Sequence, residues 1–270
     1  MSVAAGGAEI VVCPDAAALA AAAADRIVTA SREAISRSSR FTLVLSGGST
    51  PERTYARLAQ SPRREAIDWS LTWLFFGDER FVPNDDQRSN YRMAEQALLK
   101  PLAIEPSHIF AIPTGLAAPD RCAARYESML RSYFKLGPAS DFPQFDLILL
   151  GLGDDGHTAS LFPGKPSLDE KRAWITSSPP GTLPPPVDRI TFTFSLINAS
   201  REAMFLVSGE GKAAVLHEIL DGQPDLHVRP AAGVRPRGKL TWLVDEAAAK
   251  LLNRKRGASS AATRLIGSDS

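Results

Sequence analysis

Phe41-Thr42-Leu43-Val44-Leu45-Ser46-Gly47-Gly48-Ser49-Thr50-Pro51 passes from an apolar run into glycines and hydroxyls and ends on a proline. A short continuous apolar run of that kind reads as a buried strand. The polar stretch after it reads as a tight loop into a helix, with Thr50 as the cap and Pro51 as the first helical residue, where a missing N–H costs nothing. Strand, glycine loop and helix in that order are the building unit of an α/β fold.

The unit recurs on both sides of this stretch. Upstream, residues 10–13 read as a strand and 15–36 as a helix whose apolar positions are Leu19, Ile27, Val28 and Ile35. Downstream, strand-like residues 71–76 run into Gly77-Asp78-Glu79-Arg80, 145–150 into Gly151-Leu152-Gly153, and 204–207 into Ser208-Gly209-Glu210-Gly211-Lys212. Helical stretches at 89–100, 120–136 and 212–220 alternate with them, so a parallel α/β sheet is expected. Residues 177–187 carry five prolines but sit between two strand-like runs, and read as a surface loop rather than a linker. One domain over residues 1–253 is therefore expected, with 254–270, a stretch of little apolar content, as a disordered tail.

Composition bounds the chemistry. At 270 residues, 44% hydrophobic and 23% charged, the chain is an ordinary folded protein with enough length for a large core, which excludes disordered and fibrous classes. A net charge of +1 with no basic tract gives no electrostatic case for a nucleic-acid partner. The alanine-rich stretch 16–24 is flanked by Asp15 and Asp25, unlike a secretion signal, and no apolar run reaches a membrane span, so no membrane partner is expected. Cys13 and Cys122 are far apart and in no metal or redox spacing, which suits a reducing compartment; the cytoplasm is the expected location.

In an open parallel sheet, ligands gather at the carboxyl ends of the strands, where all the polar runs fall. Ser46, Gly47, Gly48, Ser49 and Thr50 offer unhindered N–H groups, hydroxyls and a helix N-terminus, which favour a phosphate, although a plain tight turn uses the same residues. Gly151-Leu152-Gly153-Asp154-Asp155-Gly156 satisfies the dinucleotide pattern G-x-G-x-x-G, but two aspartates would repel a pyrophosphate and prolines soon follow where a crossover helix is required. It is read as a decoy. His157 follows at once, and Asp155 can fix its tautomer for taking a proton from water, whereas a lone histidine is more often structural. No metal is expected, because neither H-E-x-x-H nor H-x-H occurs.

Asp78, Arg80 and Asn90 suit sugar hydroxyls and an anion, or else form a charged surface turn. Lys212 opens a helix, where its ammonium is disfavoured unless an anion binds there. Arg189 is either a second anion contact or a strand-end charge. With no G-x-S-x-G elbow, water is the better nucleophile.

Taken together, Leu45 to Pro51, Phe76 to Arg80 with Ser89-Asn90-Tyr91, Gly151 to Pro163 and Gly209 to Ala213 resemble the 6-phosphogluconolactonases, enzymes related to the glucosamine-6-phosphate deaminases. The resemblance spans about residues 10–252 and implies a Rossmann-like, mostly parallel sheet with helices on both faces and no nucleotide. It further implies hydrolysis of a 6-phosphogluconolactone without metal or organic cofactor. Ser46 to Thr50 and Lys212 would then hold the 6-phosphate, His157 would be the general base and Asp155 would orient it. The partner is a small sugar phosphate and the expected state a monomer. Two features separate this chain from its relatives: Phe162 stands where the deaminases carry a glutamate, and Asp154 where lactonases often carry proline. The competing expectations are an amino-sugar-phosphate isomerase or deaminase, and a non-catalytic sugar-phosphate sensor. The sensor lacks room for a DNA-binding module before the first strand.

Overall fold

Continuous apolar runs buried on both faces make the central strands of this protein, as parallel strands require. The computed structural model describes residues 2–5, 7–137, 140–182 and 185–253; the expected tail at 254–270 lies outside them. The elements in chain order are β1 (Ser2–Ala5), β2 (Ala8–Cys13), α1 (Ala16–Ser38), β3 (Phe41–Leu45), α2 (Ser49–Leu58), α3 (Arg63–Ala66), β4 (Thr72–Phe76), β5 (Asp78–Arg80) and α4 (Asn90–Ala94). They continue with β6 (Ile109–Phe110), α5 (Pro119–Phe134), β7 (Leu147–Leu150), β8 (Ile175–Ser178), β9 (Arg189–Phe192), α6 (Phe194–Asn198), β10 (Glu202–Val207), α7 (Ala213–Gly222) and β11 (Lys239–Asp245).

Eight strands form the main sheet in the order β1-β2-β11-β10-β7-β3-β4-β6, with seven parallel and β1 antiparallel at the edge. The chain steps one way across the sheet from β2 to β3, β4 and β6, then returns through β7, β10 and β11. Right-handed crossovers put α1 and α2 on one face and α5 and α7 on the other. β3 and β7 are neighbours, pairing Leu43 with Leu147 and Val44 with Ile148, yet the chain leaves them in opposite directions. A crevice opens at the carboxyl ends of such a pair, and that is where an α/β sheet binds its ligand.

The structure corrects three local readings. α2 starts at Ser49, with Gly48 in the cap position at φ +104° and no side-chain cap, so Thr50 lies inside the first turn. The left-handed turn at Gly48 brings the chain into the helix earlier than a threonine cap would, and Pro51 is still tolerated because the first-turn N–H groups have no intrahelical partner. The strand-like run after the proline-rich loop starts at Arg189 and stops as a strand at Phe192, and Thr193 caps α6 by accepting from Leu196 N at 3.3 Å. β9 is buried at every residue because it is the central strand of a second sheet, β5-β9-β8, which the sequence reading did not foresee, with α5 packed on it. The helix expected over 89–100 is α4 followed by a π-helical turn at Glu95–Leu99, with Ser89 as its cap. After the G-x-G-x-x-G run comes a turn and a single 3₁₀ turn at Pro166–Asp169, with no crossover helix before β8.

Two buried tyrosines tie the strand ends to the helices. Tyr55 of α2 accepts from Ser46 N at 2.9 Å and donates to Ser46 O at 2.8 Å. Tyr126 of α5 does the same for β4, accepting from Phe76 N at 3.0 Å. Burial pushes both phenols well above their usual range, so each OH keeps its proton and can act as donor and acceptor at once.

Candidate active site

The loop after β3 and the loop after β7 meet at the crevice. Ser46, Gly47, Gly48, Ser49, Thr50, Asp78, Arg80, Asn90, His157, Arg189 and Lys212 all line one cavity of about 300 Å³, with Ala159, Phe162 and Ser208 among its other walls. Asp155 stands behind the imidazole. Every residue singled out from the sequence is thus at or beside this cavity.

At one end is the imidazole. His157 Nδ1 lies 2.6 Å from Asp155 Oδ1, which also accepts from His157 N at 3.0 Å. Burial raises the Asp155 carboxyl, but the hydrogen bonds from His157 more than reverse this and its pKa is net lowered. An ionised Asp155 assigns the ring proton to Nδ1 and leaves Nε2 as an acceptor. The loop is closed by Gly153 N donating to His157 O at 2.9 Å and Thr158 Oγ1 to Gly151 O at 2.9 Å. Gly153 has no freedom to be anything else: a Cβ there would fall 2.0 Å from His157 Nδ1 and 2.8 Å from Asp155 Oδ1. Phe162 is buried with its ring centroid 4.7 Å from that of His157, so the wall beside the imidazole is aromatic.

The other end is cationic. α2 presents an N-terminus without a side-chain cap, and Gly209, at φ +99°, opens the turn that carries Lys212. Lys212 is the N-cap of α7 rather than a residue of the helix, and its Nζ donates to Asp154 Oδ1. Arg80 and Arg189 are direct cross-strand partners in the small sheet. Like charges opposite one another destabilise a sheet, and among the described residues neither guanidinium has a carboxylate partner within ion-pair distance. Arg189 is buried, donates only to the carbonyls of Val187 and Pro185 at 3.2 and 3.1 Å, and lies over the Phe162 ring at 5.6 Å. Desolvation lowers its pKa, with Asp78 acting against that shift. Arg80 Nε is buried with no hydrogen-bond partner.

Between the two ends, Asp78 is held inside the protein. Its Oδ2 accepts from Ser160 Oγ at 2.7 Å, and Asn90 Nδ2 donates to its carbonyl at 3.0 Å. Asn90 also packs on the phosphate-type loop, since a Cβ on Gly47 would fall 1.9 Å from its Oδ1. The sequence reading did not single out Glu79 for the site. This buried carboxylate accepts from the N–H groups of Arg80, Asn90 and Tyr91 and from Ser89 Oγ at 2.7–3.0 Å, fixing the 89–91 segment over the cavity. Burial pushes its pKa up against those bonds. Ser160 and Arg229 were also unforeseen; Arg229 Nη1 donates to Asp155 O at 3.2 Å and braces the loop from outside. Glu79 lay within a polar run after a strand and Ser160 within the 151–163 run, which were usable signals; Arg229 had none. Among the described residues, no group of His, Cys, Asp or Glu is placed to hold a metal ion, and no helix is long and apolar enough to cross a membrane.

The family described as glucosamine-6-phosphate isomerases/6-phosphogluconolactonase matches residues 14–242, and the chain belongs to it. It is 42% identical over 226 residues to a 6-phosphogluconolactonase of Synechocystis sp., covering 84% of this chain and 90% of that one. With a 6-phosphogluconolactonase of Nostoc sp. the identity is 39% over 237 residues, 88% and 95% of the two chains. Among solved structures, the 6-phosphogluconolactonase from Trypanosoma cruzi superposes with a TM-score of 0.79 at 29% identity, covering 92% of this chain and 98% of that one.

Proposed function

We propose that this chain hydrolyses 6-phospho-D-glucono-1,5-lactone to 6-phosphogluconate, the lactonase step of the oxidative pentose phosphate pathway, with His157 as the base. The observation that carries the reading is the shared cavity: a carboxylate-backed imidazole at one end, and unpaired cations with an open helix N-terminus at the other. His157 Nε2 takes a proton from water as the oxygen attacks C1. The tetrahedral intermediate collapses with cleavage of the bond between C1 and the ring oxygen, and the imidazolium returns its proton to that oxygen. Lactone and water alone balance the reaction. Asp155 holds Nδ1–H and stabilises the imidazolium.

The 6-phosphate goes to the Ser46–Thr50 loop, Lys212 and Arg189, since a dianion would relieve the uncompensated charge of Arg80 and Arg189. Asp78 and Asn90 form the polar wall for the sugar hydroxyls. The aromatic Phe162 beside His157 supports the lactonase over an amino-sugar deaminase, which needs an additional acid there. Two free, buried cysteines with a net charge of +1 suit a cytoplasmic enzyme without a nucleic-acid partner. The test is a coupled assay on freshly generated phosphogluconolactone, corrected for spontaneous hydrolysis, beside an amino-sugar phosphate. Turnover of the lactone alone is expected; turnover of the amino sugar alone would reverse the assignment.

A further inference from the structure

Arg80, Arg189 and Lys212 all reach the anion-binding end of the cavity, and among the described residues only Lys212 is met by a carboxylate. That carboxylate is Asp154, which belongs to the loop that carries His157. The pair is lopsided: the Asp154 side chain is 63% exposed and that of Lys212 25% exposed. The acid therefore reaches in from solvent onto an ammonium set at the cavity wall. A helix N-terminus disfavours a cation, so Lys212 gains from a counter-ion there. An exposed aspartate is released into water at small cost, because surface ion pairs are weak. Asp154 and a bound dianion at Lys212 would repel one another.

We infer that Asp154 is a built-in competitor for the substrate phosphate, a residue that neutralises Lys212 and leaves it when the phosphorylated lactone binds. The inference rests on the reading of Lys212 as a phosphate ligand. A small anion contacts the phosphate end alone, while the lactone also gains contacts along its sugar. Asp154 thus taxes inorganic phosphate and substrate alike, but only the substrate has binding energy in reserve. The device lowers occupancy of the site by free phosphate at a given concentration.

The experiment measures KM for the phosphorylated lactone, the inhibition constant of inorganic phosphate, and the acid limb of kcat in the wild type, Asp154→Asn, Lys212→Ala and the double variant. Asp154→Asn is expected to lower both constants about two- to fivefold, the range of an exposed ion pair, with kcat and its acid limb unchanged. In the Lys212→Ala background the same change is expected to have no effect. If Asp154→Asn leaves both constants unchanged while Lys212→Ala raises KM, the competitor role is overturned and the phosphate ligand stands. If Lys212→Ala leaves KM unchanged, the phosphate reading itself falls and the inference with it. A shifted acid limb at constant KM would mean that Asp154 acts on His157 instead, which also overturns the inference.

Discussion

His157 carries the chemistry because its two nitrogens face different worlds: Nδ1 is fixed by Asp155 and Nε2 is left to the cavity. His157→Ala is expected to lower kcat by roughly 10²–10⁴, the contribution of a positioned general base, with KM little changed. Turnover near that of the wild type in a folded variant would remove this histidine from the mechanism. The rate should also fall on acidification, since a protonated Nε2 accepts nothing; a flat profile after background subtraction would contradict the role. Asp155 adds a stability effect of its own at lower pH. Its folded pKa is depressed, so its contribution to stability is present above the unfolded value of about 3.9 and is lost only as pH falls below it. Urea midpoints of the wild type and Asp155→Asn should accordingly converge as pH falls below about 4. Lys212→Ala touches a group remote from C1, so it should raise KM about tenfold to a hundredfold and barely affect hydrolysis of unphosphorylated gluconolactone. Equal losses on the two lactones would refute the phosphate assignment.

Two loops turn strands into a site, and in each a glycine is needed for want of space. A methyl at Gly153 collides with the dyad, whereas a methyl at Gly47 collides with Asn90 on the binding wall. Gly153→Ala is therefore expected to lower kcat at least a hundredfold, about the whole contribution of the base. Gly47→Ala should act mainly on KM. Steady-state kinetics on both variants separates the outcomes, and a KM effect at Gly153 with kcat intact would show that the dyad tolerates displacement. The small sheet has a similar role on the opposite wall: the β5–β9 register sets Arg80 beside Arg189.

Across the whole molecule, the crevice exists because crossovers leave β3 and β7 in opposite directions, and it keeps its shape because Tyr55 and Tyr126 hold the strand ends against helices on the two faces. Tyr55→Phe leaves the buried N–H and C=O of Ser46 without this partner, which should cost about 1–3 kcal/mol. Thermal unfolding should show a drop of several degrees at this chain length. An unchanged melting temperature would mean that water replaces the hydroxyl. The same substitution at Tyr126 is expected to behave alike.

Phe41–Leu45, its glycine loop and the order of the other polar loops were legible without any coordinates. Buried parallel strands leave unbroken apolar runs, and loops at their ends must carry glycine and polar residues, so local composition determines the fold class and the general position of the site. The paired Asp155 and His157 were legible for the same reason, being two residues apart in one turn. β5 and β6, of three and two residues, were not, since so short a segment shows no period. Nor were the opposed Arg80 and Arg189, the Ser160 hydroxyl on Asp78, or Asp154 on Lys212. Each of these joins residues distant in the chain, and strand order, register and crossover direction bring them together. Those depend on how the whole set of apolar faces packs at once, so only the tertiary structure decides them.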